Sequence, residues 1–171
     1  SNREGDDFIM DLQVDGDGAI YACGRANDSG FMTLMRFDAQ ANLVWSRDYK
    51  YGNHYMVGDR LTLGNDSVYV LTSSNYLGYY FLVDCTESGE QLWSAYQYAP
   101  DLEAKALSIG LDGNLFVTGV VADKWSNGSS FDGHPPLGDE DLVLAKHRWG
   151  TGQLMWSQQW GDSDSQQGTS L

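Results

Sequence analysis

The sequence predicts an all-β fold in which one four-stranded unit recurs about three times. First, an apolar run with a central aromatic residue recurs after 48 and 47 residues, by subtraction, at Tyr21, Tyr69 and Phe116. Second, a tryptophan phrase recurs after 48 and 63 residues, in ANLVWSRDY, GEQLWSAY and GQLMWSQQW. Third, no segment has the i, i+3, i+4, i+7 apolar spacing of a helix. Repeats of this length are typical of solenoids and propellers.

Four strands are predicted in each unit, in the same order. The first strands are FIMDLQV (8–14), MVGDRLTL (56–63) and AKALSIGL (104–111). The second strands are the apolar runs, which follow turns rich in Asp, Asn and Gly. The third strands are FMTLMRF (31–37), YYFLV (79–83) and DLVLAKH (141–147), and the fourth are the tryptophan phrases. The predicted units are 6–52, 53–101 and 102–161, and 162–171 is predicted to open a further one.

The second and third strands are apolar at nearly every residue. Continuous apolar runs indicate strands covered on both faces, whereas alternation indicates one wet face. Repeated four-stranded sheets covered on both faces are the blades of a β-propeller, and propellers close with about 4 to 8 blades. We therefore expect a propeller segment of three blades and the first strand of a fourth. The expected neighbours are the remaining blades of a longer chain or neighbouring subunits.

Composition limits the partners. The formal net charge of −14 disfavours nucleic acid and anionic membrane surfaces, because both are negatively charged. No apolar run reaches the ~18 residues of a membrane span. Cys23 and Cys85 lie in apolar runs, so two buried thiols are expected, with a single disulfide left open.

The third unit carries a resemblance to a known family. EAKALSIGLDGNLFVTG and SSFDGHPPLGDEDLVLAKHRWGTGQLMWSQQWGD resemble the SBBP-type β-propeller repeat. The matching residues are Asp112, Gly113, Asn114, Gly119, Phe131, Asp132, Gly133, Asp141, Lys146, Trp156 and Gly161. The second unit departs, with Asn65-Asp66-Ser67 at the turn and Thr72 at the closing glycine. TGQLMW and SGEQLW are also similar to the tryptophan-docking repeats of PQQ-type quinoprotein propellers. The first resemblance implies an interaction module without catalytic residues, and the second implies a redox enzyme.

Two sets of aromatic residues have alternative interpretations. Trp45, Trp93 and Trp156 recur at one position of the repeat, which favours packing between blades over stacking platforms for sugars. The extra length of the third unit lies in VVADKWSNGSSFDGHPPLGD (120–139), between its second and third strands. Long loops on rigid scaffolds are where binding residues accumulate. A contact surface at Trp125, Phe131 and His134 is therefore predicted, with a loop that only packs on its own blade as the alternative.

Short motifs that resemble metal and glycan sites occur in the predicted turns and loops. Asp15 and Asp17 in VDGDG begin like a calcium loop, but the terminal glutamate is missing, which favours a plain turn. Sequons begin at Asn27, Asn65 and Asn127, and they suggest a secreted glycoprotein, with chance occurrence in Asn- and Ser-containing loops as the alternative.

No catalytic motif occurs, whether GxSxG, P-loop, HExxH or a dinucleotide fingerprint. The predicted function is a non-catalytic structural or recognition module without cofactor, extracellular or at the cell surface. Its ligand at the loop face would be a protein or a glycan. The alternative is a fragment of a propeller enzyme, either quinoprotein dehydrogenase-like or a glycan-active hydrolase.

Overall fold

The computed structural model describes residues 8–25, 31–51, 56–74, 78–99, 102–122, 137 and 140–161. All regular structure in these ranges is β-strand, and no helix long and apolar enough to cross a membrane occurs in them. The strands are β1 Phe8–Val14, β2 Ile20–Arg25, β3 Met32–Phe37, β4 Leu43–Tyr49, β5 Val57–Gly64, β6 Ser67–Ser74, β7 Tyr79–Thr86, β8 Gln91–Tyr98, β9 Leu102–Ile109, β10 Leu115–Ala122, β11 Glu140–His147 and β12 Leu154–Trp160.

The strands form three four-stranded antiparallel sheets in which each strand pairs with its neighbour in sequence. We call the sheets blade 1 (β1–β4), blade 2 (β5–β8) and blade 3 (β9–β12). The first strands of the blades are adjacent in space, with β1 beside β5 and β5 beside β9. The prediction of an all-β propeller segment with three four-stranded blades is confirmed. The predicted start of a fourth blade, 162–171, lies outside the described residues.

Blade 2 is covered on both faces. Val68 and Val70 of β6 join the core between blades 1 and 2, which we call the first seam. Tyr69 and Leu71 point the other way and join the core between blades 2 and 3, the second seam. All four side chains are fully buried. The continuous apolar run of β6 therefore serves two cores, as the sequence predicts for a strand between two layers.

The first strand of each blade carries a bulge at the same place. The register shifts between Ile9 and Asp11 in β1, between Gly58 and Arg60 in β5, and opposite Thr118 and Gly119 in β9. A bulge leaves one residue unpaired and bends the strand. Because the bulge recurs, β1, β5 and β9 bend at corresponding points.

The two cysteines are free and buried, as expected for small apolar side chains. Cys23 and Cys85 both belong to the first seam. Burial raises the pKa of both thiols, that of Cys85 to about 11. Both are therefore thiols, not thiolates, at neutral pH.

Candidate functional site

Trp45, Arg47 and Tyr49 attach blade 1 to blade 2. Alternate residues of a strand share one face, so these three side chains of β4 point the same way. They donate to three successive carbonyl oxygens of the β7–β8 turn. The distances are 3.2 Å from Trp45 Nε1 to Glu87, 3.2 Å from Arg47 Nε to Ser88 and 2.7 Å from the Tyr49 hydroxyl to Gly89. Side chains of β4 in blade 1 thus bind the β7–β8 turn of blade 2 across the first seam.

A glycine receives the tryptophan at both seams. Gly89 has a φ of 79°, and a Cβ added there would lie 3.0 Å from the Trp45 ring and 2.7 Å from Arg47 Cδ. Gly152 has a φ of 66°, and its Cβ would lie 2.5 Å from the Trp93 ring and 2.6 Å from Ala95 Cβ. We call Gly89 and Gly152 the docking glycines. Both the backbone conformation and the close approach favour glycine.

The second seam is built differently at the same place. The β11–β12 turn, closed by Arg148 N–H to Gln153 O, is one residue longer than the β7–β8 turn, closed by Thr86 N–H to Glu90 O. Trp93 Nε1 is buried and donates to none of the carbonyl oxygens of this turn within the described part of the chain. The extra residue moves the turn carbonyls, so the contact made by Trp45 is not repeated.

A buried histidine binds the docking glycine of the second seam instead. His147 Nδ1 lies 2.9 Å from the Gly152 carbonyl oxygen, and Nε2 lies 2.6 Å from the Tyr80 hydroxyl. Because a carbonyl oxygen only accepts, Nδ1 carries the proton and Nε2 accepts from Tyr80. Burial lowers the pKa of His147. The neutral imidazole therefore joins β7 of blade 2 to the turn of blade 3.

Asp84 is a buried carboxyl group in the second seam. It lies directly opposite Trp93 on the neighbouring strand. The residue opposite the recurring tryptophan is Arg36 in blade 1 and Lys146 in blade 3. Arg36 Nε donates to the Tyr21 hydroxyl at 3.0 Å. In blade 2 a carboxyl group, that of Asp84, stands opposite Tyr69 where blade 1 has the Arg36 guanidinium opposite Tyr21. Burial raises the pKa of Asp84, because desolvation penalises the charged carboxylate.

Trp156 occupies the same position of the repeat on the far side of blade 3. Its ring meets Phe116 edge-on at 6.1 Å between centroids, and Lys146 Nζ lies 5.2 Å from the centre of the Phe116 ring. Trp156 is 38% exposed, and no other blade covers it within the described residues. We call the surface formed by Phe116, Leu144 and Trp156 the Trp156 face. Its counterparts in blades 1 and 2 line the two seams.

A second uncovered surface lies on blade 1, on the side away from blade 2. Leu12 is 55% exposed, whereas its counterpart Leu61 in β5 is 1% exposed because blade 1 packs on it. Val14 is exposed beside Leu12. We call the surface formed by Leu12, Val14, Ile20 and Phe37 the Leu12 face. The described blades therefore end in two different apolar faces.

A cleft of about 420 Å³ lies on the turn side of the first seam. Its lining includes the Tyr21 ring and three acidic residues, Asp15, Asp66 and Glu87. Trp149 in the β11–β12 turn of blade 3 corresponds to Glu87 in the β7–β8 turn of blade 2. The cleft is therefore acidic, and its β7–β8 turn contributes a glutamate where the corresponding turn of the second seam has a tryptophan.

The predicted metal and sequon residues that can be placed lie in turns. Asp15 Oδ1 accepts hydrogen bonds from the N–H groups of Asp17 and Ala19, at 2.9 and 2.8 Å. No cluster of three or more metal-ligating side chains occurs within the described ranges. Asn65 and Asp66 have φ of 52° and 58°, as in a two-residue type I′ hairpin turn. The Asn65 side chain is exposed and donates to the Gly113 carbonyl oxygen at 3.4 Å.

The predicted contact loop joins β10, which ends at Ala122, to β11, which begins at Glu140. Trp125, Phe131 and His134 lie outside the described residues, as do the sequons at Asn27 and Asn127. The structure thus neither gathers these side chains into a site nor separates them.

Sequence reasoning missed the docking glycines, although the signal was present. Ala41, Gly89 and Gly152 each precede a recurring tryptophan by four residues and begin the three aligned phrases. His147 was missed for another reason. Its counterpart in blade 2 is Cys85, so no pattern in the repeat indicates a histidine there.

Comparison with known proteins adds no family. No protein-family model matches the chain, and no curated protein matches it at a significant level. The resemblance to SBBP-type and quinoprotein repeats therefore depends on the quoted motifs alone.

Proposed function

We propose that this chain is a non-catalytic β-propeller segment that acts as a structural and recognition module. The observation that carries the proposal is the repeated seam, in which a tryptophan of one blade meets a turn glycine of the next. On the Trp156 face the recurring tryptophan, Trp156, and its aromatic neighbour Phe116 have no blade against them in the described residues. A surface built like two internal seams is suited to receive a further blade, of a longer chain or of a neighbouring subunit.

The proposal is tested by supplying such a blade. Residues 162–171 are replaced by a copy of residues 53–101, which brings the docking glycine Gly89 behind blade 3. Acrylamide quenching is measured in this chain, in the unaltered chain and in the Trp156→Phe variant of each, so that the difference reports Trp156 alone. We expect the copy to shield Trp156 and to shift its emission to the blue. An equally accessible Trp156 in both chains would contradict the proposal.

The recognition role is supported by the cleft of the first seam. Asp15, Asp66 and Glu87 line it, and the Tyr21 hydroxyl at its side already accepts a hydrogen bond from Arg36. Carboxylates around a concave surface favour a cationic group of a protein partner. A lysine-rich peptide is the probe, with binding followed by fluorescence anisotropy. Glu87→Gln should weaken binding and its dependence on salt, whereas Glu140→Gln, outside the cleft, should not. Equal effects of the two substitutions would contradict this role.

A further inference from the structure

The turn between the third and fourth strands has one unusual member. Ala41 in blade 1 occupies the position of the docking glycines Gly89 and Gly152, four residues before the tryptophan of its blade. All three residues have a positive φ, and that of Ala41 is 62°. This conformation is strained for an L side chain and free of strain for glycine. Blade 1 therefore holds an alanine where glycine would fit the backbone better.

The Cβ of Ala41 occupies the space into which a tryptophan would dock. At Gly152 an added Cβ would lie 2.5 Å from the Trp93 ring, a distance at which the ring must move. A Cβ added at Gly89 would lie 3.0 Å from the ring of Trp45. A tryptophan seated on blade 1 in the manner of the two seams would meet the Ala41 methyl group in the same way. Because the turn is closed by Asp38 N–H to Asn42 O and Ala41 N–H to Asp38 O, it matches the geometry of the β7–β8 turn.

The two open faces would otherwise be complementary. The Trp156 face corresponds to the side of a blade that gives the tryptophan, and the Leu12 face to the side that receives it. In a chain with both faces open, this complementarity favours head-to-tail association of copies, which forms rings or filaments.

We infer that the Trp156 face docks a propeller blade with a glycine at the turn position of Gly89 and Gly152, and that Ala41 prevents the Leu12 face of a second copy from serving as that blade. This inference rests on the proposed function and adds the identity of the partner blade. It also assigns Ala41 to partner selection: among the described blades, blade 3 presents the tryptophan and blade 1 lacks the glycine that would receive it.

The experiment compares two receptor turns that differ by one methyl group. Residues 162–171 are replaced by a copy of residues 6–52, with alanine or with glycine at the copied position 41. Trp156 is again isolated by difference from the Trp156→Phe variants. We expect the alanine copy to leave Trp156 accessible to acrylamide, and the glycine copy to shield it with a blue shift. In sedimentation velocity, the full chain with Ala41→Gly should self-associate more than the unaltered chain, and Trp156→Ala should abolish the difference.

Two results would overturn the inference. Equal shielding of Trp156 by both copies would mean that Ala41 does not discriminate. Failure of the glycine copy, when the copy of residues 53–101 does shield Trp156, would mean that the glycine is not what blade 1 lacks. Failure of the copy of residues 53–101 itself counts against the proposed function instead, so the two failures are distinguishable.

Discussion

Single residues determine how neighbouring blades meet. The carbonyl oxygen of a docking glycine accepts a buried hydrogen bond in both seams, but from different donors. Tyr49 of the preceding blade supplies it at Gly89, and His147 of the same blade supplies it at Gly152. The same backbone requirement is thus met by unrelated side chains, because a buried carbonyl without a donor is costly.

Gly152→Ala should destabilise the protein through the tryptophan contact. Gly150→Ala is the matched control, because Gly150 also has a positive φ but a Cβ there meets nothing within 4 Å. Both variants pay about 1 kcal/mol for the left-handed conformation. Gly152→Ala should lose about 1–3 kcal/mol more, since Trp93 must move. Urea unfolding measures both free energies, and equal losses would show that the close approach to Trp93 is without consequence.

His147 should make the stability of the second seam depend on pH. Its folded-state pKa is lowered by burial, whereas in the unfolded chain it is about 6.5. The unfolded state therefore binds the proton more tightly, so the contribution of the neutral imidazole is complete above pH about 6.5 and is lost as the pH falls towards the folded-state value. The difference in unfolding free energy between the unaltered chain and His147→Gln should shrink from pH 7.5 to pH 5. A difference that stays constant would show that His147 does not titrate in this range.

At the scale of the element, β1 is held against β5 by side chains. Gln13 Nε2 donates to the Leu61 carbonyl oxygen at 3.0 Å, and Gln13 Oε1 accepts from Leu63 N–H at 3.3 Å. Asp11 Oδ2 accepts from Leu61 N–H at 2.9 Å. The amide and the carboxylate thus take the place of a neighbouring strand at the edge of blade 2. In the second seam the counterpart of Asp11 is Arg60, whose Nε donates to the Lys105 carbonyl oxygen of β9 at 2.6 Å.

Gln13→Glu should weaken the first seam. The substitution keeps the acceptor but removes the donor to Leu61 and places a carboxylate beside that carbonyl oxygen. A loss of about 1–3 kcal/mol is expected, the usual cost of a part-buried polar group left without its partner. Gln91→Glu, at an exposed position of β8, is the control and should change the unfolding free energy by less than about 0.5 kcal/mol. Equal effects would mean that the bridge to β5 contributes nothing.

The elements themselves were predictable, and their contacts only in part. The apolar runs and the tryptophan phrases predict the strands, because burial on two faces requires apolar side chains at consecutive positions. The alternating burial of β11 was not predicted. Val143 and Ala145 face blade 2, while Leu144 lies on the open side, so the pattern depends on how many neighbours a blade has. The roles of His147 and Ala41 could not be predicted either, because each differs from the residues at the corresponding position of the other blades.

For the molecule as a whole, the middle blade is the best protected. Blade 2 belongs to two seams, whereas blades 1 and 3 each belong to one within the described residues. In repeat architectures each unit is stabilised by its own packing and by its interfaces with neighbours. Local opening should therefore require least free energy in the blades that have one interface.

Native-state hydrogen exchange should show this order. Amides of β6 should exchange more slowly than the corresponding amides of β2 and β10, although all three are second strands of their blades. Mass spectrometry of peptides from each strand gives the comparison. Exchange at one common rate would indicate that the three blades open together as a single cooperative unit.

The pairing of each strand with its sequence neighbour also bears on how the chain folds. Blades 1 and 2 are each completed from 42 consecutive residues and blade 3 from 59, in every case by successive hairpins, whose closure has a low entropic cost when the loop is short. Contacts between blades come later and join segments about one repeat apart. Each completed blade then offers its neighbour a template, so folding can begin in any blade and spread to the next. During synthesis this order would bring Trp45 into position before the turn that receives it has been made.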